Sequence, residues 1–91
     1  MKLTTRSEYA LLALIFLARN VSQGFISVDT IAQAQNISPK FLEQILLALK
    51  RAKYLRSQKG QHGGYCLAKS AESITLAEII RVLDGALAPT E

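Results

Sequence analysis

Ile26 to Ala52 reads ISVDTIAQAQNISPKFLEQILLALKRA, and its punctuation predicts two helices joined by a tight turn. Ser27 can cap a first helix whose apolar positions are Val28, Ile31, Ala32 and Ala34. Ala32 is small, as a close helix crossing requires. Asn36 tolerates the left-handed conformation that ends a helix, and Ile37 then points inward again. Ser38 followed by Pro39 marks a second start, a hydroxyl cap and then a residue preset for the first helical position. From there Phe41/Leu42, Ile45/Leu46, Leu49 and Ala52 recur at helical spacing. A short capped helix, a turn, and a longer helix with polar residues early on its outer face make a helix-turn-helix pattern. In that motif the second helix, here residues 38–52, enters the DNA major groove and reads with its first turns.

The chain around this stretch has 91 residues, room for one small domain. Its net charge of +4 favours an anionic partner, though many small domains are this basic. Hydrophobic residues make up 49% of it, high for a domain with so much surface per residue, so some apolar surface is expected to meet something outside these residues. The single cysteine, Cys66, allows no internal disulfide and no multi-cysteine metal site, which fits a reducing compartment.

Lys2 and Arg6 precede an apolar run from Tyr9 to Ala18 that superficially resembles a signal peptide. Glu8 at the junction, the lack of a small-residue cleavage site, and a Thr5/Glu8 capping box argue for an ordinary helix instead. The run is also too short to span a bilayer. The expectation is a helix from about Thr5 to Val21 in a cytoplasmic protein with no membrane partner. Leu11, Leu12, Leu14, Ile15, Phe16 and Leu17 cover every face of that helix. Either it is the central core helix, or one face awaits a partner helix.

Ser22-Gln23-Gly24 reads as a turn. Beyond the helix-turn-helix, Lys53 to Ser57 is strand-like with Tyr54 and Leu55 inward, and Gln58 to Gly64 forms a glycine-rich hairpin tip. Tyr65 to Ala68 returns as the partner strand, making a wing at about residues 58–65. Lys69 to Ser73 is a polar loop. Thr75 and Glu78 form a capping box that opens a helix through Ile79, Ile80, Val82 and Leu83; Gly85 is expected to stop it and Pro89 to bar a restart. The order is helix, helix, helix, strand, strand, helix: a mainly α winged helix-turn-helix.

These residues also carry a resemblance. Lys2-Leu3-Thr4 with Tyr9-Ala10, Ile31-Ala32, Ile37-Ser38, Phe41-Leu42-Glu43-Gln44-Ile45, Gly60, Gly63-Gly64-Tyr65 with Leu67, Ile74-Thr75, Glu78-Ile79-Ile80 and Leu83-Asp84-Gly85 together resemble the bacterial IscR/NsrR/CymR family of winged-helix regulators. The resemblance covers the whole chain. It implies a dimeric, sequence-specific DNA-binding regulator of the bacterial cytoplasm. Family members usually continue into a long dimerisation helix, and many carry three cysteines before it that hold an iron–sulfur cluster. Residues 1–91 are therefore expected to be the DNA-binding domain without that helix. No cofactor is expected in this chain, because the cluster's cysteine ligands are absent. An acid at the position of Glu8 is a cluster ligand in some relatives, but helix capping is the better reading for Glu8. Cluster-free members respond through a partner protein in cysteine metabolism, so the resemblance also implies a regulatory protein partner as an option for this chain.

Each candidate residue has a plainer alternative. His62, the only histidine, is by default solvated at the hairpin tip, with phosphate or minor-groove contact as the sharper reading. Cys66 is by default a buried structural thiol; a reactive one needs exposure and nearby cations. Lys50, Arg51, Lys53, Arg56 and Lys59 could simply be a solvated helix end, but their place between recognition helix and wing favours phosphate contact. Phe41 is placed at the helix edge, against the DNA backbone or a thymine methyl. Ser38, Lys40, Phe41, Glu43, Gln44, Lys59, Gln61 and His62 form the expected DNA-binding set. A transcription regulator, a repressor in the first instance, is the leading reading. A winged-helix module that binds protein is the alternative, and an exposed apolar recognition face would favour it. An enzyme lacks any motif to support it.

Overall fold

A computed structural model describes residues 5–87. Four helices and one hairpin follow in the order α1 (Thr5–Arg19), α2 (Val28–Gln35), α3 (Pro39–Arg51), β1 (Leu55–Gln58), β2 (Gly64–Leu67) and α4 (Leu76–Leu87), with single 3-10 turns at Val21–Gln23 and Ala71–Ser73. This is the winged helix-turn-helix arrangement that the sequence predicts.

The two helices of the central motif start and stop by matching devices. The Ser27 hydroxyl accepts from the Thr30 N–H at 3.1 Å, and the Ser38 hydroxyl accepts from the Phe41 N–H at 3.3 Å. Each cap satisfies an amide that the first turn leaves without a partner. At the C-terminus of α2, Asn36 turns left-handed (φ 58°) and the Ile37 N–H reaches back to the Ala32 carbonyl. At the end of α3, Lys53 adopts the same conformation (φ 72°), its N–H bonding to the Lys50 carbonyl and that of Tyr54 to the Leu49 carbonyl. Both ends are Schellman closures. The second one sets the strand start later than expected: Lys53 belongs to the turn and β1 begins at Leu55. Tyr54 and Leu55 can both be buried because Tyr54 precedes the regular strand.

α1 ends at Arg19, two residues short of the expected Val21. At that end both the Asn20 side chain, at 2.8 Å, and its N–H, at 3.1 Å, donate to the Phe16 carbonyl, and a 3-10 turn ending at Gly24 (φ 71°) follows. Thr5, expected to cap α1, is itself helical, and the residues before it lie outside the described residues. Ala34, expected on the apolar side of α2, is exposed; on so short a helix only Ile31 and Ala32 are fully buried, with Val28 partly buried against the core. The loop before α4 contains the Ala71–Ser73 turn, where the Ser70 hydroxyl accepts from the Glu72 N–H. The Thr75/Glu78 capping box forms reciprocally, at 3.1 and 3.2 Å. Gly85 does not stop α4, which runs on to Leu87. A glycine inside a helix costs only about 1 kcal/mol relative to alanine and needs a left-handed turn to terminate it. Pro89 lies outside the described residues.

The core sits where α1, α3 and α4 meet. Leu17, Leu42, Leu46, Leu49, Ile79 and Leu83 are almost wholly buried there. β1 and β2 pair antiparallel with Leu55 opposite Leu67, Arg56 opposite Cys66, Ser57 opposite Tyr65 and Gln58 opposite Gly64. Tyr65 also bridges to Ile26, just before α2. α1 is apolar all round but is covered on only part of its circumference. Ala10, Ala13, Leu14 and Leu17 are buried, whereas Leu12 and Ile15 remain about two-fifths exposed, at 42% and 41%. Beside them an apolar groove of ≈ 280 Å³ runs between α1, Leu67 and Ile74.

Candidate nucleic-acid interface

Helix α3 is sharply two-sided. Leu42, Ile45, Leu46, Ala48 and Leu49 face the core, and Lys40, Glu43, Gln44, Leu47, Lys50 and Arg51 face solvent. Core packing thus fixes which residues point outward, because burying one stripe of a helix leaves the opposite stripe free. The three predicted readers Lys40, Glu43 and Gln44 share that outward face over the first two turns. Ser38 is exposed at the N-terminus of α3, its hydroxyl engaged with the Phe41 amide. Phe41 sits at the boundary. It is half-buried, with its ring edge-on to Tyr9 at 5.6 Å between centroids and 83° between planes.

Between α3 and the hairpin lies a cleft of ≈ 370 Å³. Glu43, Leu47 and Lys50 line it from the helix, Ser57, Gln58, Lys59 and Tyr65 from the wing, and Ser27 and Val28 from the start of α2. The structure therefore brings Glu43 and Lys59 of the predicted set to one cleft. Gln61 and His62 are exposed at the wing tip, and Lys40 and Gln44 stand on the outer face of α3, outside the cleft lining. The sequence reading missed Leu47, Ser57, Tyr65 and Ser27 as parts of this surface. Only the helical spacing of Leu47 from Glu43 and Gln44 carried a signal for it. Burial raises the Tyr65 hydroxyl pKa above its ordinary value, and the Glu43 carboxylate raises it further.

The basic residues divide. Lys50 and Lys59 flank the cleft, whereas Arg56 is paired with Cys66 across the hairpin, on the opposite face of the pleat from Ser57 and Tyr65. The Arg56 Nη2 lies 4.0 Å from the Cys66 Sγ, and Cys66 is half-exposed rather than buried. Its position in a two-stranded hairpin, with its side chain on the outer face, leaves no core for it to enter.

An iron–sulfur cluster does not fit the residues present. Cys66 is the only thiol in the chain, and the described residues contain no group of three His, Cys, Asp or Glu side chains able to hold a metal. Among the described residues no helix is long and apolar enough to cross a membrane.

Comparison with known proteins agrees with this geometry. The Rrf2 profile, described as an iron-dependent transcriptional regulator, matches residues 3–91. The chain is 40% identical over 91 residues to the HTH-type transcriptional regulator CymR of Bacillus subtilis, covering all of this chain and 66% of that protein. It is 43% identical over 91 residues to protein rrf2 of Nitratidesulfovibrio vulgaris, covering all of this chain and 61% of that one. Thus it spans somewhat less than two-thirds of the length of these relatives. The solved structure of CymR, the global cysteine regulator of B. subtilis, superposes with a TM-score of 0.87 at 38% identity, covering 100% of this chain and 70% of that one. The T. potens IscR structure gives 0.84 at 35% identity, covering 100% and 66%. With a family profile matching nearly its whole length and regulators of that family as its structural neighbours, the chain belongs to the Rrf2 family of transcriptional regulators.

Proposed function

We propose that residues 1–91 are the DNA-binding domain of a sequence-specific transcription regulator, a repressor, that works in the bacterial cytoplasm as a homodimer. The observation that carries this reading is the shared cleft: the polar outer face of α3 and the cationic wing border one opening, with Lys50 and Lys59 on its two sides. In such a site the recognition helix enters the major groove and the wing lies along the backbone or in the minor groove. Cations position the duplex through phosphates, and side chains of α3 select bases. Occupancy of an operator suffices to block transcription, which favours repression. The test is enrichment of a randomised duplex pool by the protein, followed by titration of the enriched and scrambled duplexes at several salt concentrations. Preference for the enriched duplex with a salt-dependent affinity is expected. Equal affinity for both at every salt would remove the reading.

The dimer is supported by the uncovered face of α1. Leu12 and Ile15 stay exposed, and Ile15 lines the groove with Leu11, Leu14, Ala18, Arg19, Leu67 and Ile74. A second subunit that covers this face would place two α3 helices on half-sites about 34 Å apart, one turn of the duplex, or a multiple of it. Sedimentation of the full-length protein should show a dimer. A stable monomer with unimpaired operator binding would exclude this assembly.

A further inference from the structure

Leu47 is the one large hydrophobic side chain in the outward stripe of α3. It is 37% exposed, and its neighbours on that face are Lys40, Glu43, Gln44 and Lys50. It lies four residues after Glu43 and three after Gln44. At about 100° of rotation per residue, it therefore falls in angle between those two side chains. Packing does not call for a leucine here, because Leu42, Ile45, Leu46 and Leu49 already fill the buried side of the helix. Leu47 also lines the cleft, with Glu43 one turn before it, Lys50 one turn after it and Lys59 across from it.

Such a position suits one feature of a duplex. The major-groove edge offers hydrogen-bonding groups at every base pair, and its one apolar group is the C5 methyl of thymine. An apolar side chain held between two polar readers would desolvate their hydrogen bonds and meet a methyl on an adjacent pair. Resting on the DNA-binding reading above, we infer that Leu47 is a specificity-determining residue that selects a thymine beside the base pairs faced by Glu43 and Gln44. Lys50 and Lys59, on either side of it, hold the groove edge to the cleft.

Deoxyuridine in place of thymine removes the methyl and keeps every hydrogen-bonding group. The experiment enriches a randomised duplex pool with the full-length wild-type protein, then replaces each thymine of the enriched site in turn. One replacement per half-site should weaken wild-type binding about three- to fivefold, the worth of one methyl taken out of water. Leu47→Ser should bind the thymine duplex more weakly and be indifferent to that replacement, while Leu47→Met should keep the discrimination. Unchanged melting temperatures would confirm that both variants fold. A deoxyuridine penalty that persists in Leu47→Ser, or the lack of any penalised thymine, would overturn the inference while leaving DNA binding intact. If the wild-type protein enriches no sequence at all, the DNA-binding reading falls, and this one with it.

Discussion

Tyr65 and Ile26 exchange two backbone hydrogen bonds, 2.9 Å from the Ile26 N–H to the Tyr65 carbonyl and 2.8 Å from the Tyr65 N–H to the Ile26 carbonyl. The pair ties the returning strand of the wing to the residue that precedes the Ser27 cap. Gly64 makes the approach possible. It has φ 155°, and a Cβ there would collide with the Ile26 carbonyl. Gly64→Ala should therefore destabilise the fold by about 1–3 kcal/mol, since neither backbone segment can give way cheaply. Urea unfolding checks this; an unchanged midpoint would mean that the bridge is dispensable.

Gln44 and Lys59 should fail differently. Gln44 is exposed on the outer face of α3, and a glutamine there could pair in two places with adenine. Gln44→Ala should cost about 1–3 kcal/mol on the preferred duplex and flatten discrimination at one base pair. Lys59→Ala should weaken all duplexes alike and reduce the salt slope by about one ion per subunit. Titration of both variants against preferred and scrambled duplexes separates the roles, and a reversed pattern would show them wrongly assigned.

Lys53 closes α3 in the left-handed conformation, at φ 72°. A non-glycine residue gives up roughly 1–2 kcal/mol there, and glycine offsets part of that by its larger unfolded-state entropy. Lys53→Gly should raise stability by about 0.5–1 kcal/mol. Thermal or urea unfolding gives the sign, and a loss of stability would count against the strain.

Two tyrosines make the fold sensitive to alkali. Burial raises the pKa of Tyr54, with the Glu78 carboxylate adding to it and Arg81 opposing, and burial followed by Glu43 raises that of Tyr65. Unfolded tyrosines ionise near their ordinary pKa of about 10, so above that pH the folded state holds protons that the unfolded state has lost. The stability from these groups is fully present below about pH 10 and disappears as the pH rises through their raised folded values. Urea midpoints measured upward from pH 8 should fall beyond about pH 10, and the fall should be shallower in Tyr65→Phe. Equal falls in both proteins would clear Tyr65 of a part.

With one thiol in 91 residues, this chain should hold no iron–sulfur cluster after anaerobic reconstitution, since a cluster commonly needs about four protein ligands. Charge-transfer absorption with stoichiometric iron and sulfide would contradict that.

Much of the frame was legible because it depends on neighbours in sequence. Ser38-Pro39, Asn36 and the Thr75/Glu78 pair act within one turn of backbone, and each does what its chemistry predicts. What stayed hidden depends on distant partners or on context. Nothing in Lys53 announces a left-handed turn; the Tyr54 amide reaching the Leu49 carbonyl imposes it. Ile26 gives no local sign that it will pair with Tyr65. Gly85 looked like a stop because glycine often ends helices, yet in α4 it is an interior residue. At the interface, the outward positions of Lys40, Glu43 and Gln44 followed from the helical period. The cleft that gathers Glu43, Leu47 and Lys59 needed the hairpin to be folded back beside α3.

The Ile26–Tyr65 bridge has a mechanical meaning as well. It ties the wing to the residue that leads into the helix-turn-helix, and so should restrain the opening between α3 and the hairpin. On the DNA-binding reading, a duplex that meets both would have to supply the matching groove width, by its intrinsic shape or by bending. Sequences that deform cheaply to that width would be preferred even at steps no side chain touches. On the DNA-binding reading, part of the selectivity resides in the stiffness of the helix being gripped.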